Sequence, residues 1–138
     1  MRITLESDYA LRIVTALADA GELIDAKTLS ETTQVTLRFT LKILRKLVQG
    51  DFVSSVKGAK GGYKLKRSSE EITLRSVIEH IDGPIVIARC LDSEGICSLN
   101  RDKTACIYHH IFDKISTDVA EKLGAITIKD VLSKNFSL

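Results

Sequence analysis

The chain has 138 residues, of which 44% are hydrophobic, with one proline, eight glycines and three cysteines. This length and composition favour a single folded, mostly helical domain over a disordered chain. The formal net charge is only +2, so the distribution of charge along the chain is more informative than its sum. No secretory signal pattern opens the sequence and no apolar run is long enough to cross a membrane, so we expect a cytoplasmic protein.

The beginning of the chain predicts two helices separated by a short turn. Apolar residues recur at helical spacing over residues 5–20, and Gly21 stands where that helix would end. Asp25 is a suitable N-cap for a second, shorter helix over residues 26–32. A polar turn then leads to the next helical segment.

The third predicted helix covers residues 37–49 and divides into an apolar and a basic face. Thr36 precedes it and can cap its first turn through the side-chain hydroxyl, and Gly50 ends it. At about 100° per residue, five apolar side chains fall on the side that we expect to be buried. These are Leu37, Leu41, Leu44, Leu47 and Val48. The opposite arc holds Arg38, Lys42, Arg45, Lys46 and Gln49.

A hairpin with a basic, glycine-rich tip follows this helix. Apolar and polar residues alternate in DFVSSVK and GYKLKR as they do in strands. Between the two runs, Gly58, Gly61 and Gly62 permit a tight tip that can lie close to another molecule. Residues 38–67 contain nine Lys or Arg residues and one acidic residue. The positive charge is therefore concentrated on the helix and the hairpin, where a phosphate backbone could lie.

A short helix, a tight turn, a longer basic helix and a basic hairpin are the parts of a winged helix-turn-helix, so we predict binding to double-stranded DNA. The competing interpretation is an ordinary amphipathic helix and hairpin with a solvated basic face. Arg38, Phe39 and Lys42 are the predicted groove contacts, because arginine can donate two hydrogen bonds to guanine and phenylalanine can touch a thymine methyl group. For Phe39, packing inside the protein is the alternative. The other predicted DNA-binding residues are Thr36, Lys57, Lys60, Gly61, Gly62, Tyr63 and Lys64.

Beyond the hairpin, helical periodicity is lost once and then returns. A fourth helix begins near Thr73 and ends at Gly83 and Pro84. Residues 85–105 show no period and indicate a loop, which at this length usually has a function. A short last helix follows Thr127, which has capping-box spacing to Asp130.

Between that loop and the last helix, residues 107–124 predict a long amphipathic helix. A winged helix already has its own core, so we expect the apolar stripe of this helix to pack on a second copy of the chain. The resulting homodimer would present two DNA-binding units to a symmetric operator. The stripe consists of Ile107, Ile111, Ile115 and Val119, broadened by Phe112 and Leu123.

Three cysteines, Cys90, Cys97 and Cys106, lie in or at the end of the aperiodic stretch, with six and then eight residues between them. Three thiolates so close in sequence can hold a soft metal centre such as an iron–sulfur cluster, with a histidine or carboxylate as the fourth ligand. The candidates for that position are His109, one helical turn after Cys106, and Asp8, which could come from the other protomer. A zinc site with His109, a thiol–disulfide switch and inert buried thiols are open alternatives on the residues alone.

Four features follow one another in this chain: the opening MRIT…SDYALR, the helix VTLRFTLKILRKL, the wing VSSVKGAKGGYKL, and three cysteines before a long helix. Together they resemble the IscR/NsrR/CymR family of bacterial winged-helix transcription regulators over nearly the full length. The resemblance implies a homodimeric repressor or activator. CymR-like members lack the cysteine trio and respond through a protein partner.

In the cluster-binding branch, the resemblance implies an iron–sulfur cluster of two-iron or four-iron type, held by Cys90, Cys97 and Cys106. Asp8 stands where NsrR-like members use an aspartate of the partner subunit. His109 stands where IscR-like members use a histidine. The intervals between the cysteines are wider here than is usual in the family.

We therefore expect a mainly α protein with a small β wing, built from a winged helix-turn-helix DNA-binding domain in residues 1–83, a cysteine-bearing sensor loop in 84–106, and a dimerisation helix with a C-terminal helix in 107–138. The expected function is transcription regulation by a homodimer whose operator affinity is controlled by an iron–sulfur cluster sensing redox state, nitric oxide or iron. The alternative is a winged-helix regulator that senses through zinc or through a cysteine thiol/disulfide switch. We find no nucleophile–base pair, phosphate loop or paired carboxylates that would indicate an enzyme.

Overall fold

Six α-helices and one two-stranded antiparallel sheet form the regular structure of the chain, seen in a computed structural model that describes residues 3–92, 97 and 102–136. Two short 3₁₀ turns, Arg89–Leu91 and Lys103–Ala105, lie between the fourth and fifth helices. The prediction of a mainly α protein with a small β wing is confirmed. The elements are α1 (Leu5–Ala20), α2 (Ala26–Thr33), α3 (Leu37–Gln49), β1 (Val53–Val56), β2 (Gly62–Leu65), α4 (Leu74–Asp82), α5 (Ile107–Gly124) and α6 (Ile128–Ser133).

Side-chain caps begin α1, α2, α4 and α6. The side-chain oxygens of Thr4, Asp25, Thr73 and Thr127 accept hydrogen bonds from backbone N–H groups of the first turn, which otherwise have no partner in the helix. At Thr127 the bond is reciprocated, because the Asp130 carboxylate accepts from the Thr127 backbone N–H at 2.9 Å. The predicted capping box is therefore confirmed.

Helix α1 lies at the centre of the core. Its Ile13, Val14 and Leu17 are at most 2% exposed, and α1 contacts α2, α3, α4, α6 and β2. Burying a leucine or isoleucine side chain of this kind contributes about 1.5–3 kcal/mol to folding. The surrounding elements and their connections add Leu29, Ile43, Leu44, Leu47, Phe52, Val53, Ile72, Val77 and Ile128 to the same cluster.

Helix α6 packs into this core although it follows the long helix α5. Ile128 is fully buried, and its N–H donates to the carbonyl of Ile72 at 2.8 Å, while the N–H of Leu74 donates to the carbonyl of Ile126 at 3.0 Å. These two hydrogen bonds tie the start of α6 to the start of α4. The C-terminal helix is thus part of the winged-helix unit in the fold.

The buried face of α3 differs from the predicted one. Leu44 and Leu47 are buried as expected, but Leu37 and Leu41 are 44% and 42% exposed, so the prediction for these two leucines is wrong. The reason is the direction from which α1 and α2 approach: they cover the side of the helix that carries Thr40. The buried residues are Thr40, Ile43, Leu44 and Leu47.

The start of α3 also differs from the prediction. Thr36 occupies the N-cap position, but its hydroxyl makes no capping hydrogen bond within the described residues. The predicted side-chain cap is therefore wrong. Its consequence is that the Thr36 hydroxyl and the first N–H groups of α3 are available to another molecule. At the other end Gly50 closes the helix as predicted.

The wing is tied to the helical core through its second strand. Tyr63 of β2 and Ile24 of the α1–α2 connection exchange two backbone hydrogen bonds, of 2.8 and 2.9 Å. Gly62 lies so close to this connection that a Cβ atom there would be 2.7 Å from the Ile24 carbonyl oxygen, and a Cβ atom on Gly61 would be 2.1 Å from that of Val56. Both glycines are thus required by close backbone packing.

Helix α5 is anchored by its C-terminal half. Ala120 packs with Ile78 and Ile85 in a second, smaller cluster. The hydroxyl of Ser116 accepts from the N–H of Ile87 at 3.1 Å. The N-terminal half is open, with Ile107 65% exposed. Within the described part of the chain, none of the helices combines the length and apolar content that a membrane span requires.

We expect Gly62→Ala to destabilise the fold by about 1–3 kcal/mol, the usual cost of forcing extra atoms into a packed site. The new methyl group would displace the backbone at Ile24, which has no freedom to rotate away. Urea unfolding monitored by circular dichroism measures the change.

The matched control is Gly124→Ala, because a Cβ atom there meets the side chain of Arg75 at 3.5 Å, an ordinary contact. This variant should be as stable as the wild type or slightly more so, since alanine favours helix. Equal stability of the Gly62 and Gly124 variants would contradict the close packing of the wing against the α1–α2 connection.

Candidate nucleic-acid interface and cysteine segment

The exposed face of α3 presents arginines that no acidic residue neutralises. Arg38 and Arg45 are exposed and form no salt bridge with any described residue. They lie seven residues apart, about two helical turns, and so project from the same side. This side is opposite to the one that carries Ile43 and Leu47.

The two lysines of α3 are engaged differently. Both Lys42 and Lys46 form ion pairs with Glu6 in the first turn of α1, the latter at 2.5 Å. The hydrogen bonds from Lys42 and then Lys46 hold the pKa of Glu6 below its ordinary value. The carboxylate is therefore charged at neutral pH, and the pairing is lost as the pH falls through that lowered pKa. The sequence did not indicate this contact, which spans 36 residues.

The cations of the wing divide in the same way. Lys57, Lys60 and Lys64 are exposed and form no ion pair within the part of the chain that the structure describes. Lys66 pairs with Asp51 at 2.6 Å and holds the pKa of that carboxyl below its usual range. On α3 and the wing, the basic residues without an ion pair to any described residue and without a stacked ring are Arg38, Arg45, Lys57, Lys60 and Lys64.

Two side chains, His80 and Arg67, donate hydrogen bonds to carbonyl groups at the C-terminal end of α3. The Nε2–H of His80 donates to the carbonyl of Lys46 at 2.7 Å. Arg67 donates to the carbonyl of Gly50 at 3.1 Å, and its guanidinium lies 4.7 Å from the ring centroid of Phe52. A Cβ atom on Gly50 would lie 2.5 Å from the His80 ring. These hydrogen-bond donors interact favourably with the negative C-terminal end of the helix dipole. They also hold the end of α3 in a fixed direction.

Phe39 packs inside the protein on one side and is exposed on the other, and its predicted groove contact stays a prediction. Its ring meets that of Tyr9 edge to face, with centroids 5.9 Å apart, and it is 41% exposed. Tyr9 in turn lies under the guanidinium of Arg12, which forms a 2.6 Å ion pair with Asp8. Phe39 therefore packs on α1 while one side of its ring faces outward.

A cleft of about 300 Å³ separates α3 from the wing. Leu41 and Val48 supply its apolar surface, and polar side chains of α3 and of the two strands complete the lining. Tyr63 is half-buried there and packs against the core. This packing supports the first of its two predicted roles, bracing the wing. The polar lining residues are Arg45, Gln49, Ser55 and Tyr63.

The three cysteines are all half-buried. Cys90 lies in the turn Arg89–Leu91 and Cys106 directly precedes α5, and this turn and the one before Cys106 both contact α5. Cys97 is described, but residues 93–96 and 98–101 on either side of it are outside the described residues. Among the described residues, no three His, Cys, Asp or Glu side chains are grouped closely enough to hold a metal ion.

The two adjacent histidines at the start of α5 differ in their contacts. His110 donates from Nε2 to the carbonyl of Thr104 at 2.7 Å. The Nδ1 atom of His109 is buried and has no hydrogen-bond partner in the described part of the chain, an uncommon state for a polar atom that a ligand would relieve. Together with the thiol of Cys106 one turn earlier, this donor set fits a soft metal centre.

Sequence reasoning missed three features of this surface. Glu6 was not recognised, because nothing local connects it to α3. Leu37 and Leu41 were assigned to the core, although they lie on the exposed face. Arg45 was predicted on the basic arc of α3 but not among the DNA contacts. Its lack of an ion pair with any described residue makes it a further candidate contact.

The chain matches the Rrf2 family, described as iron-dependent transcriptional regulators, over residues 3–134. It is 28% identical to the regulator IscR of Sodalis glossinidius, across 96% of this chain and 79% of that protein. It is 24% identical to the regulator NsrR of Bacillus licheniformis, across 96% and 92%.

Solved structures confirm the fold. IscR of T. potens superimposes with a TM-score of 0.77 at 20% identity, covering 99% of this chain and 89% of that one. CymR, the global cysteine regulator of B. subtilis, superimposes with a TM-score of 0.78 at 23% identity, covering 97% and 98%. The predicted resemblance is confirmed: this chain belongs to the Rrf2 family of winged-helix transcriptional regulators, which are not enzymes.

Proposed function

We propose that this regulator binds a two-fold symmetric operator as a homodimer, with α3 in the major groove and the wing on the adjacent backbone, and that an iron–sulfur cluster sets its affinity. The observation that carries the DNA-binding part is the sorting of charge. Residues 38–67 contain nine Lys or Arg residues. Five of them, on α3 and the wing, have no ion pair with any described residue, and the other four are neutralised or stacked on Phe52. Unpaired cations on an exposed helix and an adjacent wing can bind the phosphates of duplex DNA.

On α3, Arg38 is the base-reading residue, because its guanidinium can donate to both acceptors on the edge of guanine. Arg45 lies two turns further along and binds a phosphate or a second base. Lys42 can contact DNA only by exchanging Glu6 for a phosphate. Thr36 supports a phosphate contact, since its hydroxyl makes no capping hydrogen bond within the described part of the chain and the N–H groups of the helix start have no partner inside the helix.

On the wing, Lys57, Lys60 and Lys64 bind phosphates. The backbone at Gly61 and Gly62 carries no side chain, so a phosphate or sugar can come close to it. These contacts hold the regulator in register without reading sequence. Tyr63 acts by bracing β2, and its hydroxyl can reach the backbone of the DNA.

The open half of α5 supports the homodimer. Ile107, Ile111 and Ile115 are 65%, 45% and 43% exposed at four-residue spacing, and Tyr108 is 67% exposed beside them. A continuous apolar stripe of this kind on a helix is costly in water and is covered in stable proteins. A second copy of α5 offers the same stripe and satisfies the symmetry of an isologous contact.

The cysteine segment supports a metal-based sensor. The cluster would be held by Cys90, Cys97 and Cys106, with His109 or Asp8 of the partner subunit as the fourth ligand. The buried, unpartnered Nδ1 atom favours His109, whereas Asp8 already has an ion pair with Arg12. When bound, an iron–sulfur cluster supplies redox chemistry and reacts with oxygen or nitric oxide.

Control of DNA binding follows from where these ligands lie in the fold. Cys106 is the residue before the open half of α5, and Cys90 follows α4, which packs on α1. A group that joins these cysteines constrains the start of the dimerisation helix relative to the winged helix. Loss of the group removes the constraint, and the distance between the two α3 helices of the dimer changes.

We expect Arg38→Ala to weaken binding to the cognate duplex by about 1–3 kcal/mol and binding to random duplex much less, because a base contact is lost. Lys60→Ala should weaken binding to both duplexes alike and reduce the salt slope by about one, because a phosphate contact is lost. Fluorescence anisotropy at several salt concentrations measures both effects.

The control for this pair is Lys122→Ala, a charge removal near the C-terminal end of α5, which should leave affinity and salt slope unchanged. Equal losses on cognate and random duplex for Arg38→Ala would contradict its base-reading role.

We expect Ile111→Lys to convert the dimer to a monomer, because a charged group would be buried in the apolar contact. Light scattering during size-exclusion chromatography measures the mass. Thr117→Lys places the same charge on α5 outside the stripe and should remain dimeric. A monomeric wild type would overturn the proposed interface.

We expect His109→Ala to lose iron and the visible absorption of anaerobically purified protein, while His110→Ala keeps both. The Nδ1 atom of His109 is buried without a hydrogen-bond partner among the described residues, whereas Nε2 of His110 already donates to the Thr104 carbonyl. Iron and sulfide assays with an absorption spectrum give the readout, with Cys97→Ala as the negative standard. If His109→Ala keeps its iron and Asp8→Ala loses it, the fourth ligand is Asp8.

A colourless wild type without iron or sulfide would contradict the cluster while leaving the DNA-binding proposal intact. Zinc in its place, or a disulfide between two of the cysteines, would identify the other class of sensor. Metal analysis and thiol titration separate these two results.

A further inference from the structure

Two leucines of α3 lie on its exposed face and do not pack in the core. Leu37 and Leu41 are 44% and 42% exposed and lie one helical turn apart. Single exposed leucines are common on protein surfaces. Here the two leucines follow one another on the first two turns of α3, the helix proposed to enter the major groove. Directly beside Arg38, they form a continuous apolar strip on the surface proposed to meet DNA.

The strip continues into the cleft between α3 and the wing. Leu41 and Val48 supply the apolar part of the cleft lining, while Arg45 and Gln49 of the same helix and Tyr63 of β2 add polar groups to it. A base edge in the major groove has the same mixed character, since a methyl group and hydrogen-bonding atoms lie side by side on it. The cleft therefore complements an edge that carries a methyl group.

The position of the strip along α3 also favours contact with bases. Leu37, Arg38 and Leu41 are the first, second and fifth residues of the helix. In helix-turn-helix proteins the N-terminal residues of the recognition helix reach the base edges. The unbonded hydroxyl of Thr36 can meet a phosphate at the rim of the groove, which would bring this end of α3 against the DNA.

The neighbouring charges argue against a protein as the occupant of this strip. An apolar protein surface laid on Leu37 and Leu41 would also cover Arg38 and Arg45, which have no salt bridge among the described residues and would lose their hydration without compensation. DNA provides phosphates and guanine acceptors for the arginines together with methyl groups for the leucines.

Resting on the proposed function, we propose that Leu37 and Leu41 read thymine through its C5 methyl group. The operator half-site then carries thymine at the positions that these leucines face. The methyl group distinguishes thymine in the major groove. Cytosine at the same position has no methyl group and presents an amino group there, which an apolar side chain would leave without a hydrogen-bond acceptor.

The test replaces thymidine by 2′-deoxyuridine, which keeps every hydrogen-bonding atom and removes only the methyl group. The full-length protein first enriches a binding site from a library of randomised duplexes. The enriched duplex is then synthesised with uracil at one thymine position at a time. We expect the wild type to bind about fourfold more weakly at one or more positions in each half-site, the factor for one buried methyl-sized group.

The variants assign the effect to the side chains. Leu41→Ala should bind the thymine duplex more weakly and no longer distinguish uracil from thymine at one position, and Leu37→Ala should do so at another. Leu41→Met preserves apolar volume and should keep the discrimination. Leu132→Ala, an equally conservative change of an exposed leucine on α6, should behave as the wild type. Circular dichroism of each variant verifies that the fold is intact.

The results separate the two proposals. Equal wild-type affinity for thymine and uracil at every position, an enriched half-site without thymine, or full discrimination by both alanine variants would overturn the methyl-reading inference and leave operator binding standing. Failure of the wild type to bind any duplex at low salt, with or without metal, would overturn operator binding and the inference with it.

Discussion

Burial of one face of α1 is the interaction on which the rest of the structure depends. Ile13, Val14 and Leu17 lie at the point where α2, α3, α4, α6 and β2 meet. Because a single helix contacts all these elements, the angle between α3 and the wing is set by a shared close-packed core and not by the loops that join them. The basic surface formed by α3 and the wing is consequently one rigid unit.

Polar contacts at the margins of α3 decide which of its groups remain available. His80 and Arg67 occupy carbonyl groups at its C-terminal end, and Glu6 neutralises the lysines on the side next to α1. The centre of the exposed face keeps its arginines. Selective neutralisation of this kind lowers non-specific attraction to phosphate, which depends on the number of free cations, and it leaves Arg38 available for the base contact proposed for it.

The two halves of helix α5 have different roles. Around Ala120 it is fastened to α4, and around Ile111 it is open and apolar. Cys106 stands at the beginning of the open half, so any chemistry at the cysteines acts on the helix that would join two protomers. Since the fastened half moves with the winged helix, a small change at the start of α5 would alter how two DNA-binding units stand relative to each other. A sensor at the cysteines would need no contact with DNA to control DNA binding.

The amino-acid sequence alone determined the elements, their order and most of their ends, because caps such as Thr127 and stops such as Gly50 act on neighbouring residues. It also located the basic helix and hairpin, since charge segregation needs no knowledge of packing. Only the tertiary structure decided which face of α3 is buried, because Leu41 and Leu44 are equally apolar and the approach of α1 and α2 chooses between them. The pairing of Glu6 with α3 likewise depends on long-range packing, which brings together side chains that are far apart in the chain.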